Sequence, residues 1–499
     1  MSGLRSAGLI KNDPRLKESM TKLRKAQDNV VDFGSRDIFL DVDVFKECIK
    51  ENIVLIRRAF TADFVIPEFK AFCEVIKDIY DKCHLNNGGK TASYIPQLAR
   101  YDPNLWGLSI CTIDGQRHSI GDTKKPFSIQ SCSKPINYAL ALSDLGSEYV
   151  HKYVGQEPSG ESFNHIKLGH GNKPHNPMIN TGAIVMASLL KNDLSHADRF
   201  DYAMNQYKRL SGGEYVGFNN AIFLSERESA DRNYALGYYL RENKCFPNNK
   251  DFHETMDFYF QLCSIEVTND SAAVIAATLA NGGYCPITGE KALQASAVRN
   301  TLSLMHSCGM YDYSGQFAFK VGLPAKSGVS GLILLVIPNV CGMAIWSPPL
   351  DPLGNSVRGI QFCEELVRIF NFHHYDNLKH TVKKLDPLVR RTDAQGQQIV
   401  ALLFGAYNGD ISALRRMAMA DFDMSLPDYD GRTALHLAAA EGHLDCVRFL
   451  LEKCKVAVDA TDRWKHTPLD DAMEFKQEST VTYLKQYIAK HHPADLAAL

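Results

Sequence analysis

The sequence predicts an α+β domain with a small helical bundle ahead of it and tandem helical repeats behind. Three patterns carry that prediction. Two strand-pair signals, "WGLSICTIDGQRHSIGD" (106–122) and "GLILLVIPNVCGMAIW" (331–346), stand far apart with mainly helical text between them. The residues ahead of them show helical periodicity only. The C-terminal part repeats itself: Gly409 precedes Gly442 by 33 residues, and Thr433 precedes Thr467 by 34.

Residues 1–25 read as a flexible N-terminal segment, although helical spacing starts at Asp13-Pro14. There "PRLKESMTKLRKA" puts Leu16, Met20 and Leu23 on one face. Residues 26–90 continue as short amphipathic helices such as "DVFKECIKENIVLIRRAF", an EF-hand-like bundle without calcium ligands. Asp41 and Asp43 hint at a calcium loop, but its glycine and final glutamate are missing, so they read as surface acids and caps. "GGK" (88–90) reads as a hinge into an α+β domain over 91–375. That domain opens with a hairpin around Asp114-Gly115. Helices fill 131–280, and two strands flank Pro338-Asn339. The helix "RGIQFCEELVRIF" closes it. Strands at both ends of the domain imply one sheet assembled from distant segments.

Residues 376–396, charged and weakly apolar, read as a linker. Beyond them "GRTALHLAAAEGHLDCVRFLLE" (431–452) follows the ankyrin pattern Thr-Pro-Leu-His-x-Ala with Ala434 in the proline place. "KHTPLDDA" (465–472) repeats it, and "LLFGAYNGDISALRRM" (402–417) is a worn copy upstream. Ankyrin repeats over 397–499 must stack to bury their apolar faces, and such stacks bind protein.

A net charge of −2 and a pI near 6.8 give no reason to expect nucleic acid or a membrane surface as partner. Thirteen cysteines without a Cys-x-x-Cys pair read as reduced, buried thiols. The apolar run at 331–346 is broken by Pro338-Asn339 and too short to span a membrane. The N-terminus shows neither a signal core nor a convincing transit peptide.

"QSCSKP" (130–135) holds Ser131 and Lys134 at a spacing that chance supplies about twice in a chain of 499 residues. Context makes it more than spacing. Pro135 is tolerated only in the first turn of a helix, which places Ser131 at a helix start and Lys134 one turn along the same face. A serine hydroxyl needs a base, and a lysine serves only when burial and the helix dipole keep it neutral. The Ser131 N–H at the helix start is one candidate oxyanion donor. Downstream, Lys326-Ser327-Gly328 before a strand resembles the Lys-Thr-Gly element that accompanies Ser-x-x-Lys in β-lactamases and penicillin-binding proteins. Their Ser-Asp-Asn element is absent, which leaves the proton shuttle to another group, a tyrosine.

The longer stretches "YIPQLARYDPNLWGLSICTIDGQRHSIGD", "KPHNPMINTGAI", "SERESADRNYALGYYL", "FYFQLCSIEVTNDSAAVIAATLANGG", "TLSLMHSCGMYDYSGQFAF" and "LPAKSGVSG" resemble the animal phosphate-activated (kidney-type) glutaminases, and the similarity spans nearly the whole chain. The resemblance implies a serine β-lactamase-like catalytic domain. It implies hydrolysis of L-glutamine to L-glutamate and ammonia without metal or organic cofactor, with inorganic phosphate as activator. It also implies a homotetramer built as a dimer of dimers, and a mitochondrial matrix location set against a cytoplasmic one. By the same resemblance Ser131 is the nucleophile and Lys134 its base. Tyr259 relays the proton to the leaving ammonia, Tyr311 orients Ser131 and the substrate, the Val329 N–H completes the oxyanion hole, and these four residues also contact the substrate. Tyr94, Gln130, Asn180, Glu226 and Asn233 hold the amino-acid end of the substrate, an acid for its ammonium and amide or phenol donors for its carboxylate.

Taken alone, Glu226 reads equally as a helix-surface acid, Asn180 as a cap and Tyr259 as core. Two other functions stay open at this point: a peptidase or β-lactam-processing enzyme on the same fold, and a catalytically dead ankyrin scaffold. One loop departs from the kidney-type pattern. Before "KPHNP", where that enzyme carries Leu-Phe-Leu at a dimer contact that couples phosphate-driven assembly to activity, this chain has Ile166, Lys167 and Leu168.

Overall fold

A computed structural model describes residues 2–10, 12–29, 41–160, 166–247, 251–376, 384–420 and 422–491. The chain divides into two compact units, residues 1–375 with 386–388, and residues 376–385 with 389–499.

In the first unit, both hairpins expected from the sequence form. β1 (Gly107–Thr112) pairs with β2 (Arg117–Gly121) across a turn where Gly115 has φ +82°. β7 (Leu332–Ile337) pairs with β8 (Cys341–Trp346) across Asn339 at φ +61°. β1 and β8 are antiparallel neighbours, so the two distant hairpins merge into one sheet of order β2-β1-β8-β7-β6. β6 (Ala325–Ser327) contains Lys326 and Ser327, and Gly328 leads on toward β7, so the Lys-Ser-Gly element stands before a strand as expected and also forms a short strand of its own. A second sheet, β3 (Phe127–Ser128), β5 (Ile265–Val267) and β4 (Val216–Phe218), went unforeseen because strands of two or three residues carry no periodicity.

The large sheet is covered on both faces, which explains why β7 is apolar at every position. Leu332, Leu334 and Val336 join the core shared with the helix Asn269–Ala280, while Ile333, Leu335 and Ile337 join the core of the helices Phe69–His84 and Val357–Ile369. The helix Asn269–Ala280 reads "NDSAAVIAATLA", and its small residues let the strands come close. A Cβ at Gly342 would stand 2.1 Å from the Ala277 backbone nitrogen.

The N-terminal segment is not loose. It forms helices at Ser2–Ser6 and Lys17–Asn29 with a 3-10 turn at Pro14–Leu16. Leu4, Leu9 and Leu16 bury against Ile56 and Phe64, an apolar spacing too irregular to read from the sequence. Arg15 then clasps the tip of the β1–β2 hairpin. Its guanidinium donates to the Asp114 carbonyl at 2.6 Å and the Gly115 carbonyl at 2.7 Å. Gln116 donates to the carbonyls of Ala7 and Ile66. Asp41 caps the helix Val42–Ile49 by accepting from the Asp43 N–H, and Asp43 pairs with Lys46. The Gly-Gly-Lys hinge is also corrected. Lys90 exchanges both backbone hydrogen bonds with Leu350, at 3.0 and 2.8 Å, so this stretch is stitched to the catalytic domain. All thirteen cysteines are free thiols.

The second unit stacks three helix pairs: Arg391–Tyr407 with Ile411–Met419, Ala434–Ala440 with Leu444–Arg448, and Pro468–Glu474 with Glu478–His491. The worn copy is therefore a full repeat. Its first helix begins inside the stretch read as linker; residues 377–383 of that stretch lie outside the described residues. Thr433 and Thr467 form the capping boxes that their Thr-x-x-His and Thr-x-x-Asp spacings allow. Leu402, Leu414, Leu435, Val447, Leu469 and Leu484 share one core across the repeats.

Gly342→Ala should lower the thermal stability of the first unit by about 1–3 kcal/mol, since the new methyl meets backbone that cannot yield. Gly315→Ala, where a Cβ meets nothing within 4 Å, is the control that should leave the transition in place. Equal melting curves for the two variants would contradict the packing of β8.

Candidate active site

Ser131 lies in a 3-10 turn, Gln130–Cys132, that runs into the helix Ser133–Leu145 with Pro135 in its first turn. The expected geometry is present: serine at the helix start, Lys134 one turn along. Gln130 supports the turn at φ +50°, a left-handed conformation that costs a non-glycine residue about 1–2 kcal/mol. Across the site β6 presses on this turn. The Cys132 thiol donates to the Lys326 carbonyl at 3.1 Å. Gly328 comes so near that a Cβ would stand 3.1 Å from the Ile129 carbonyl. Neither the Ser131 nor the Val329 N–H has an acceptor among the described residues, so both are available to a developing oxyanion.

Lys134 is 2% exposed, and burial draws its pKa down to about 8 against the smaller opposing fields of Cys263, Cys132 and Glu226. Its Nζ donates to Asn180 Oδ1 at 2.6 Å, and Asn180 Nδ2 donates to Asn233 Oδ1 at 3.1 Å. Asn180 is therefore not a cap. As the first residue of the helix Asn180–Leu189 it turns its amide onto the lysine. With one N–H of a neutral amine on Asn180, the nitrogen lone pair is left to accept a proton.

Glu226 is 7% exposed, which removes the surface-acid reading. Tyr94 donates to its Oε1 at 2.6 Å and Gln130 Nε2 at 3.0 Å. Burial raises its pKa, and those two donors with the field of Lys134 pull the other way. Tyr94 shows one edge to solvent, 48% of the residue, while its hydroxyl end is enclosed. Tyr259 is core, as its apolar helix Phe252–Cys263 implies, but its phenol faces Cys263, Glu226 and Tyr311, and burial pushes its pKa well above the usual range. Tyr311 has φ +52°, and its hydroxyl interacts with Ser131, which partly offsets the upward push of burial. Val329 is half-buried beside Ile95, Leu98 and Ile222.

Nine of the ten residues nominated from the sequence are thus linked through hydrogen bonds or electrostatic interactions, while Val329 is placed by its packing on Ile95, Leu98 and Ile222. Cys263 and Arg199 were missed. The Cys263 thiol sits among Tyr259, Ser133, Lys134 and Glu226, and burial raises its pKa to about 12. It falls four residues after Tyr259, on the same helical face, which is the signal that locates it. The buried Arg199 donates to the Leu190 carbonyl at 3.1 Å and to the Ala187 carbonyl, and its guanidinium lies 4.3 Å from the Phe258 ring. It thereby ties the end of the asparagine helix to the tyrosine helix; nothing local in the sequence marks it. In the departing loop, Ile166 and Lys167 are exposed and Leu168 packs on the main core; residues 161–165 lie outside the described residues.

A family model described as glutaminase matches residues 89–375, one described as an EF-hand domain matches 1–67, and one of three ankyrin repeats matches 402–495. Among curated proteins the chain is similar to the mitochondrial liver isoform of glutaminase from Rattus norvegicus, 55% identical over 486 residues, which is 97% of this chain and 80% of that protein. It is also similar to putative glutaminase 2 of Caenorhabditis elegans, 50% identical over 490 residues, 97% of this chain and 81% of that protein. Among solved structures, the probable glutaminase ybaS superposes with a TM-score of 0.57 at 37% identity, covering 59% of this chain and 95% of that one.

A serine-directed electrophile should label Ser131 faster as pH rises through about 8, because the neutral fraction of Lys134 grows in that direction and is lost below it. Mass spectrometry follows the label. A rate that is flat across that range, or unchanged in Lys134→Met, would separate the lysine from the serine.

Proposed function

The chain belongs to the glutaminase family and hydrolyses L-glutamine to L-glutamate and ammonia on a serine β-lactamase-like domain, and we propose that it does so through a glutamyl ester on Ser131. Neutral Lys134 takes the hydroxyl proton as Oγ attacks the side-chain amide carbon, and the oxygen's charge is received by the N–H groups of Ser131 and Val329. Tyr259, kept protonated by burial, hands a proton to the departing ammonia and is re-protonated from Lys134, which returns the lysine to its neutral form, and Tyr311 holds Ser131 in line. Water then attacks the ester, with Lys134 again as base, and releases glutamate. Side chains supply this chemistry without a metal or organic cofactor.

The observation that carries this reading is the partly buried hydrogen-bond network Lys134–Asn180–Asn233 beside Tyr94–Glu226–Gln130. An enclosed acid next to amide and phenol donors fits the ammonium and carboxylate of a free amino acid. An internal peptide bond presents neither charge there, and a β-lactam ring does not set an ammonium and a carboxylate on one carbon, which argues against the peptidase and β-lactam readings.

Inorganic phosphate is the activator and acts through assembly of a homotetramer, a dimer of dimers, with the loop at Lys167 as the altered contact; the support is the resemblance of the rest of the chain to the phosphate-activated glutaminases. The names of the mammalian relatives support a mitochondrial location. The ankyrin unit takes a protein partner. A groove of about 1340 Å³ lined by Arg415, Met419, Phe422, Phe449 and Val456 among others supports that role. Among the described residues no helix is long and apolar enough to cross a membrane.

Ammonia release from glutamine should fall at least a thousandfold in Ser131→Ala, and rates equal to the unaltered protein would remove the ester from the mechanism. Glu226→Gln should raise KM for glutamine by tenfold or more, since it removes the counter-charge of the substrate ammonium. Sedimentation velocity with and without phosphate tests the activator. A tetramer fraction and a kcat that both ignore phosphate would exclude it.

A further inference from the structure

Lys326 is fully buried in β6. Its Nζ donates to the Ser327 carbonyl at 2.7 Å and stands 4.4 Å from the centroid of the Tyr311 ring. No ion pair reaches it among the described residues. The ionisable groups around it are Lys134, Cys132, Cys308 and Tyr311, none of them a carboxylate. Burial, reinforced by Lys134, draws its pKa down to about 7. The register partner of Lys326 on β7 is Leu334, and Ala325 pairs with Leu335, so the surroundings suit an aliphatic side chain. A lysine placed there lowers stability and therefore needs another reason.

That reason lies in Tyr311. Its left-handed backbone, φ +52°, persists only where surrounding contacts impose it. The Met310 N–H donates to Ser314 Oγ at 2.9 Å, and that hydroxyl donates to the Tyr311 carbonyl at 2.7 Å, which fixes the main chain. Lys326 is the polar contact on the ring itself.

We propose that Lys326 is a positioning residue for the glutaminase reaction: its Nζ, seated on the face of Tyr311, holds the phenol hydroxyl on Ser131. The proposal rests on the pairing of Tyr311 with Ser131 described above. Lys326 takes no part in the hydrogen-bond network of Tyr94, Gln130, Asn180, Glu226 and Asn233, so its influence falls on turnover and not on substrate capture.

The test compares Lys326→Met, Tyr311→Phe and the double variant in the full chain, by ammonia release across glutamine concentrations and by thermal unfolding. Lys326→Met should cut kcat at least tenfold with KM within about twofold, on the scale of a misplaced reacting group. Its Tm should equal or exceed that of the parent, because an apolar chain replaces a lone buried lysine. In the Tyr311→Phe background it should cause no further loss. Independent, multiplying effects would overturn the proposal, as would a rise in KM at unchanged kcat, or activity lost in step with Tm. Full activity in Tyr311→Phe would instead sink the Tyr311 assignment itself. If Lys326→Met does not fold, Lys326→Gln gives the same readouts.

Discussion

Two lysines share one buried interior, neither of them in an ion pair among the described residues, and the rest of the catalytic unit is organised around keeping them there. An isolated ammonium in low dielectric is several kcal/mol worse than in water, so each group yields by moving toward its neutral form. That shift is useful only if the surroundings stay dry and rigid. The serine helix is buried at ten consecutive positions from Ser133 to Leu142, and β6 closes the opposite side. A looser interior would admit water, restore the charge and disable the base. Catalytic competence and tight packing are the same requirement in this molecule.

Close packing in turn needs small residues at particular places. The helix Asn269–Ala280 can lie against β1 and β8 because alanines meet glycine there. Behind the sheet, aromatic and aliphatic side chains from the helices Phe69–His84 and Val357–Ile369 fill the second face. Strands β1, β6, β7 and β8 of the large sheet therefore have no solvent face on which alternation would show, and only the edge strand β2 reaches solvent. The asparagine and tyrosine helices reach the site from the opposite flank, tied to each other by Arg199, so the two halves of the proton path rest on one support.

The parts legible in the sequence were those with local signatures. The hairpin at Asp114-Gly115, the strand pair at Pro338-Asn339, the helix start at Pro135 and the ankyrin repeats each depend on neighbours a few residues away. The N-terminal segment was misread because Leu4, Leu9 and Leu16 find their partners in Ile56 and Phe64, far along the chain. The hinge at Gly88-Gly89 was misread for a similar reason, since its partner is Leu350. At the site, long motifs delivered Ser131 through Val329. Asn180 was assigned to the substrate alone, and only the fold reveals its bond to Lys134. Lys326 looked like a motif companion, and its real neighbour, Tyr311, lies fifteen positions away with no pattern linking the two.

The clasp between Arg15 and the hairpin tip bears on how the molecule can be taken apart. The carbonyls of Asp114 and Gly115 and the carboxylate of Asp114 are satisfied by Arg15, Arg58 and the Val65 N–H, all from the first 67 residues. The boundary drawn at residue 89 by sequence similarity is thus a seam in ancestry and not a seam in the solid. A fragment trimmed to that boundary would carry an unfinished hairpin at the edge of its central sheet. The N-terminal segment completes the hairpin tip, and dissection of the enzyme into smaller working pieces has to take it along.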